Sequence, residues 1–343
     1  MRAVRLGKSG LMASRVGMGC IPIQRVSEEA AIRVLREAYE GGVRFFDTAR
    51  MYTTSEERIG KAFEGMRDEV VIATKTNKMD YDGVMSEVEI SLRNLKTDYI
   101  DLYQHHNMAA LPDKENVQGA YQTMLKLKEQ GVIRHIGITT HSLDVAAAAV
   151  ESGQYETLQF PLSYLSGEKE LDLIALCKQH DMGIIAMKAL AGGLITSSRL
   201  AAAFFERYDN IVPIWGIERP DQLAEFLLHE EDIPQMDKAL AAEMKADQAE
   251  LSVSFCRACG YCLPCPAEIE IPTAARMGLL IRRMPAEPYM TEEAKSKMMR
   301  IENCTSCYQC QGRCPYELNT PALLRAMYAD YKEEYARITG KRW

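Results

Sequence analysis

Two runs of cysteine carry the plainest chemistry in the chain. The first is Cys256-x2-Cys259-x2-Cys262-x2-Cys265-Pro266, and the second is Cys304-x2-Cys307-x2-Cys310-x3-Cys314-Pro315. Eight of the ten cysteines fall between Cys256 and Cys314; Cys20 and Cys177 lie elsewhere. In a reducing compartment such clustering points to metal ligation before disulfides. Three thiolates spaced by two residues wrap a compact cluster, and the Cys-Pro that follows removes a donor and turns the chain away. The second run has the spacing of a [4Fe–4S] ligand set residue for residue, while the first has one residue fewer before its last cysteine. The eight cysteines are therefore expected to hold two [4Fe–4S] clusters, or one if the shortened run fails to bind. The fourth cysteine of each run can ligate the other cluster, so spacing leaves the pairing open. Zinc is the competing metal, but its sites usually join two Cys-x2-Cys units across a longer loop.

A second set of reactive side chains lies nearer the start. In Val43-Arg44-Phe45-Phe46-Asp47-Thr48-Ala49-Arg50-Met51-Tyr52, bulky apolar residues run into an acid and a tyrosine follows five positions later. A buried strand ending on an acid, with a phenol on the next loop, is how a barrel sheet delivers chemistry to its rim.

The elements that would hold these groups recur regularly. Candidate strands fall near 16–20, 43–47, 70–75, 99–106, 135–139, 157–160, 183–187 and 211–216. Helical patterns fill the gaps. Ser27-Glu28-Glu29 caps one that Gly41-Gly42 ends, and Met85, Val88, Leu92 and Leu95 form the apolar face of another. Eight strands alternating with helices suggest a closed (β/α)8 TIM barrel. An open doubly wound sheet is the alternative, but no Gly-x-Gly-x-x-Gly follows an early strand. After Gly216 the texture changes. The expected division is a barrel over 1–235 and a small, mainly α-helical iron–sulfur domain over 236–343, with no internal repeat beyond the barrel unit and the two cysteine runs.

On this frame Asp47 closes the second strand, Lys75 the third, His106 the fourth and Thr139 the fifth, and Gln159 lies near the end of the sixth. Catalytic groups of such barrels come from those strand ends. His105 and His106 point to opposite sides of a strand, so only one can face the site.

Phe46-Asp47-Thr48-Ala49-Arg50-Met51-Tyr52, with Ser55-Glu56 and Gly60, resembles the signature of the aldo-keto reductase superfamily. So do Ile72-Ala73-Thr74-Lys75, the stretch Asp98 to His106, and Ile133-Arg134-His135-Ile136-Gly137-Ile138. The likeness covers residues 1 to about 230, and the whole chain resembles the branch fused to a C-terminal ferredoxin-like domain. The resemblance implies a catalytic tetrad of Asp47, Tyr52, Lys75 and His106 and a nicotinamide cofactor. Tyr52 would be the acid–base group, with Lys75 lowering a pKa that is ordinarily near 10. Asp47 would hold the lysine, and His106 would donate to the carbonyl oxygen as charge develops there.

Cofactor contacts follow from the same likeness. Thr139, Thr140 and Gln159 would hold the carboxamide, and Met187 stands where many members stack a tyrosine. Gly192, within Ala191-Gly192-Gly193, suits close approach to the pyrophosphate. Gly216 leads into the last barrel helix, whose N-terminus can meet a phosphate. Arg219 could pair a 2′-phosphate, with Glu218 and Asp221 opposing it. NADP and NAD both stay open.

The expected activity is interconversion of a small carbonyl compound and its alcohol, with the clusters moving electrons. Two other readings stand beside it. The barrel could dock a redox protein partner and do little hydride chemistry, or the clusters could be structural. No flavin motif is visible to couple two-electron and one-electron steps. A net charge of −7 argues against nucleic acid, and no run approaches the roughly 18 apolar residues of a membrane span. The first residues lead into Gly7-Lys8-Ser9-Gly10 and not into an apolar segment, so a cytoplasmic location is expected.

Overall fold

Eight short apolar runs pair in parallel and close on themselves. In the computed structural model, which describes residues 1–193, 195–251, 256, 260–283, 285–314, 317–341 and 343, the chain forms two compact units, Met1–Asp237 and Lys238–Trp343. The first unit opens with an antiparallel hairpin, β1 (Ala3–Arg5) and β2 (Met12–Ser14). The barrel strands are β3 (Gly17–Gly19), β4 (Phe45–Asp47), β5 (Val71–Thr76), β6 (Ile100–His105), β7 (Ile133–Thr139), β8 (Thr157–Pro161), β9 (Gly183–Met187) and β10 (Ile211–Gly216). Each pairs with the next, and β10 pairs back to β3, so no edge is left open.

The helices between them are α1 (Glu28–Glu40), α2 (Ser55–Ala62), α3 (Tyr81–Leu95), α4 (Ala120–Glu129), α5 (Leu143–Glu151), α6 (Glu168–Gln179), α7 (Ser198–Phe205) and α8 (Pro220–Glu231). Their starts are legible in the chain. Ser27, Asp80, Ser142 and Ser197 each accept a first-turn backbone N–H with the side chain. Helix α1 stops at Gly41-Gly42, and Gly42 takes the left-handed conformation at φ +93°. Helices α2 and α3 cross at Gly60, where a Cβ would stand 2.1 Å from the Asn94 carbonyl oxygen.

All eight expected strands form, with ends shifted by one or two residues. The hairpin β1–β2 was not foreseen, because strands of three residues around Gly7 and Gly10 give no periodic signal. It plugs the N-terminal end of the barrel. Gly7 bridges to Met182 just before β9, and Val4, Leu6 and Ala13 share one buried cluster with Phe45, Leu102 and Val212.

The second unit is helical: α9 (Lys238–Leu251), α10 (Ile271–Ala274), α11 (Met277–Arg283), α12 (Glu292–Met299), α13 (Gln309–Gly312) and α14 (Thr320–Thr339). Its core gathers Ile271, Met277, Ile281, Met298, Leu324 and Tyr331, and Cys256, Cys262, Cys265, Cys304 and Cys310 pack against that core partly buried. The expectation of no repeat beyond the cysteine runs needs correcting. The pattern Cys-Pro-x-Glu-[Ile/Leu]-x-x-Pro-x-x-x-Arg occurs over 265–276 and again over 314–325. The backbone repeats with it. Glu268 and Glu317 both turn left-handed, at φ 52° and 53°, and each donates its N–H to the carbonyl of the cysteine three residues earlier. Ile269 and Leu318 are buried, and each copy then starts a helix carrying Pro near its first position. The departures between copies hid the duplication from a search for identical residues.

Among the described residues no helix is long and apolar enough to cross a membrane.

Candidate active site

Asp47 sits at the end of β4 and Lys75 near the end of β5, both almost wholly buried. The Lys75 Nζ donates to Asp47 Oδ1 at 2.8 Å, to Oδ2 at 2.7 Å and to the Thr48 carbonyl at 2.5 Å. An ammonium has three N–H donors, and these contacts use all of them. Gln104 and Gln159 add their side-chain N–H groups to the same carboxylate at 3.4 and 3.3 Å. Burial pushes the Asp47 carboxyl up and the Lys75 ammonium down, and their mutual contact opposes both shifts.

Tyr52 lies on the loop after β4, and its ring meets Lys75 Nζ at 5.4 Å and the His106 ring edge-on at 5.8 Å. Tyr52 is half-buried there. Burial pushes the phenol well above its ordinary value, and the charges of Asp47 and then Cys20 add to the push. This corrects the expectation that Lys75 lowers it. The lysine's charge is neutralised by Asp47, so the phenol stays protonated throughout the neutral range. His106 follows β6 directly, held by its N–H to the Thr76 carbonyl at 2.8 Å. Burial, then the Lys75 charge, pulls its imidazole down to about 3, so it is neutral and keeps one N–H to donate.

His105 faces the other way, as strand alternation requires. It is fully buried against Tyr155 at 5.8 Å, and neither ring nitrogen has a described partner. Burial pulls it down to about 4. An unfolded His105 gains a proton near pH 6.5, and the folded one only near 4. Stability is therefore expected to fall as pH drops through that window, by on the order of 2–3 kcal/mol. Thermal unfolding at pH 7 and pH 4.5 measures it, and His105→Phe should flatten that slope; an unchanged slope would show that the acid sensitivity arises elsewhere.

The expected cofactor residues are only partly brought together. Thr139, the last residue of β7, stands opposite Gln159 in the middle of β8. Thr139 Oγ1 accepts the Asn107 N–H at 2.7 Å, and Gln159 Oε1 is buried with no hydrogen-bond partner among the described residues. Thr140 is different. Its hydroxyl donates to the Met108 carbonyl at 2.7 Å and accepts from the Ser142 N–H at 3.0 Å, so it braces the loop after β7. Met187 ends β9, partly buried against the barrel interior. Ala191, Gly192 and Gly193 follow with φ of 47°, 89° and 87°, a turn that two glycines accept without strain. Gly216 is exposed at the end of β10. Arg219 is held by Asp221 through two contacts at 3.0 Å, and Glu218 is held by Arg25 at 3.0 Å.

In the second unit the cysteines line two hollows. One is walled by Cys265, Cys304, Cys307 and Cys310 together with apolar Ile269, Pro321 and Leu324. The other is walled by Cys256, Cys262 and Cys314 together with Ile271, Pro272, Ala275 and Leu318. Cys262 touches both. Cys259 lies outside the described residues. Among the described residues no three His, Cys, Asp or Glu side chains converge closely enough for a single metal ion. A thiol-walled, apolar hollow suits a multi-iron cluster better than one zinc ion.

The model of the Aldo/keto reductase family matches residues 13–256, most of the chain. The chain belongs to the aldo/keto reductase family. It is an oxidoreductase, and residues 255–319 match the 4Fe-4S dicluster domain, so the reductase barrel is joined to a 4Fe-4S domain. It is 31% identical over 217 residues to the Bacillus subtilis protein named "Uncharacterized oxidoreductase YqkF", covering 59% of this chain and 69% of the relative. It is 31% identical over 210 residues to the L-galactose dehydrogenase of Arabidopsis thaliana, covering 56% and 66%. An aldo-keto reductase from Klebsiella pneumoniae, solved in complex with NADPH, shares the fold with a TM-score of 0.62 at 24% identity, covering 71% of this chain and 94% of that one.

Several residues that shape the reductase mouth escaped the sequence reading. Gln104 reaches Asp47 because it lies two positions before His106, on the same side of the strand; that alternation was available as a signal. Arg50 pairs with buried Glu56, which also accepts from Thr74, Ser91 and Asn94 and so ties the Tyr52 loop to β5 and α3. Asn107, His141 and Lys188 join across three loops, at 2.7 Å and 2.9 Å. These contacts are long-range, and no local pattern announces them.

Proposed function

We propose that the barrel interconverts a carbonyl compound and its alcohol by hydride transfer with a nicotinamide dinucleotide, and that Tyr52 delivers the proton. The observation that carries this reading is the convergence of Asp47, Lys75, Tyr52 and His106 at one barrel mouth. A bound nicotinamide would supply or take the hydride. The rest is done by the chain. Tyr52, held protonated, donates to the oxygen in the reducing direction. Neutral His106 offers its N–H to the same oxygen and stabilises the charge that builds there. Lys75 has no donor left for Tyr52 while Asp47 and Thr48 hold it, so its part is to fix the Asp47 carboxylate at the barrel mouth. Gln159 Oε1, a buried acceptor without a partner, would receive an N–H of the carboxamide, with the Thr139 hydroxyl beside it. Arg219 and Arg25 already face carboxylates, so a 2′-phosphate would have to compete with Asp221 and Glu218.

In the second unit two [4Fe–4S] clusters would be held crosswise. Cys304, Cys307 and Cys310 would share one with Cys265, and Cys256, Cys259 and Cys262 would share the other with Cys314. The lining of the two hollows supports that exchange. One observation favours a structural share in the clusters' role: the cysteines pack against the core of a small unit, so the metal adds folding energy as well as redox capacity.

Anaerobically purified protein should contain about eight iron atoms per chain. Fluorescence titration should show saturable binding of NADPH or NADH, and bound cofactor should reduce an aldehyde, ketone or sugar. The relative's name, L-galactose dehydrogenase, puts sugars on the substrate panel. Failure to bind either dinucleotide would overturn the barrel reading and leave an electron-transfer protein.

A further inference from the structure

The duplicated segment of the second unit places one arginine beside each cysteine hollow. Both copies start a helix whose Pro and whose residue three positions later line a hollow: Pro272 and Ala275 face the one with Cys256, Cys262 and Cys314, and Pro321 and Leu324 face the one with Cys265, Cys304, Cys307 and Cys310. The next residue in each copy is an arginine, Arg276 or Arg325. Each guanidinium bonds to a residue that lines or adjoins the hollow of its own copy. Arg325 donates to Ser306 Oγ at 3.1 Å, and Ser306 lies between Cys304 and Cys307. Arg276 folds back along its helix to the Pro272 carbonyl at 3.0 Å. Its guanidinium therefore stays beside Pro272, which lines the hollow of Cys256, Cys262 and Cys314. The mates differ in environment. Arg325 is exposed, whereas Arg276 is partly buried.

We propose that Arg276 and Arg325 are matched cations that set the reduction potentials of the two clusters, and that Arg276, being the more buried, makes the site of Cys256, Cys262 and Cys314 the easier to reduce. The inference rests on the two-cluster reading above. Adding an electron to a cluster makes it more negative, so a nearby cation favours the reduced form and raises the potential. Water and salt weaken that effect for an exposed guanidinium and much less for a buried one. The other hollow includes Cys307, which is exposed. One electron taken up there, from a one-electron donor at the surface, would pass downhill to the Arg276 side: the first site is oxidised as the second is reduced. Cys262, which lines both hollows, marks the short way between them.

The test is an EPR-monitored redox titration of the full-length protein. Wild type should show two one-electron transitions. In Arg276→Gln the higher one should fall by about tenfold in its equilibrium constant, about 59 mV, while the other stays. Arg325→Gln should move only the lower transition, and by less. Arg276→Lys, which keeps a charge, should restore most of the shift and separates charge from shape. Repeating Arg276→Gln with Cys310→Ser, which should leave only the cluster on the Arg276 side, should give the same shift. Transitions that do not move, or move together, would overturn the proposal. A wild-type protein with about four irons and one transition would instead overturn the two-cluster reading itself.

Discussion

Tyr52→Phe is expected to cut carbonyl reduction by roughly 10²–10⁴-fold while leaving dinucleotide binding and thermal stability near those of the parent. The change removes one hydroxyl and keeps the ring that meets Lys75 and His106. No described contact uses the phenol oxygen to hold the fold, so the loss should fall on kcat and not on folding. Lys75→Met would be a poorer test. It would leave the Asp47 carboxylate buried without its cation, a change that typically costs about 3–5 kcal/mol of stability, and reduced activity would then have two causes. The phenol's upward shift adds a direction. Its proton is available at every neutral pH, so reduction should be flat between pH 6 and 8, whereas alcohol oxidation, which needs the phenolate as the base, should rise with pH. A Tyr52→Phe protein that reduces carbonyls at the parental rate would remove the proposed acid.

The second large effect concerns which cysteines act together. Double substitutions read it through iron content. Cys265→Ser with Cys310→Ser touches a single hollow, so about four irons should remain per chain. Cys265→Ser with Cys256→Ser touches both, and iron should be nearly absent. If each run instead kept its own cluster, the two results would exchange places. The cysteines pack on the core of the unit, so the iron-free double variant should also lose much of its protection from proteolysis.

How much of this was legible beforehand follows from how local each signal is. The strands of the barrel announce themselves as apolar runs bounded by turns, and the cysteine spacings survive any tertiary arrangement. Asp47, Lys75 and His106 were readable as strand-end residues because the barrel converts position on a strand into position in space. What stayed hidden depends on burial and on partners far along the chain. Lys75 was expected to lower the Tyr52 pKa, yet burial first, and then the charge of Asp47, push the phenol up, while Asp47 meets that ammonium with both oxygens. The hydroxyls of Thr139 and Thr140 both meet the loop of Asn107 and Met108, more than thirty residues earlier, which no local pattern announces. The proposed exchange of cysteines between the runs could not be read from their spacing, which leaves the pairing open.

The hairpin at the N-terminal end has a kinetic meaning. It covers that end of the barrel, so the proposed reactants would both come to the other end, where Asp47 and Lys75 sit. Two reactants that share one doorway must queue. If the dinucleotide reaches down to Gln159, whatever accepts its hydride lies above it. On the proposed hydride transfer, turnover would then run in a compulsory sequence, with the dinucleotide first in and last out.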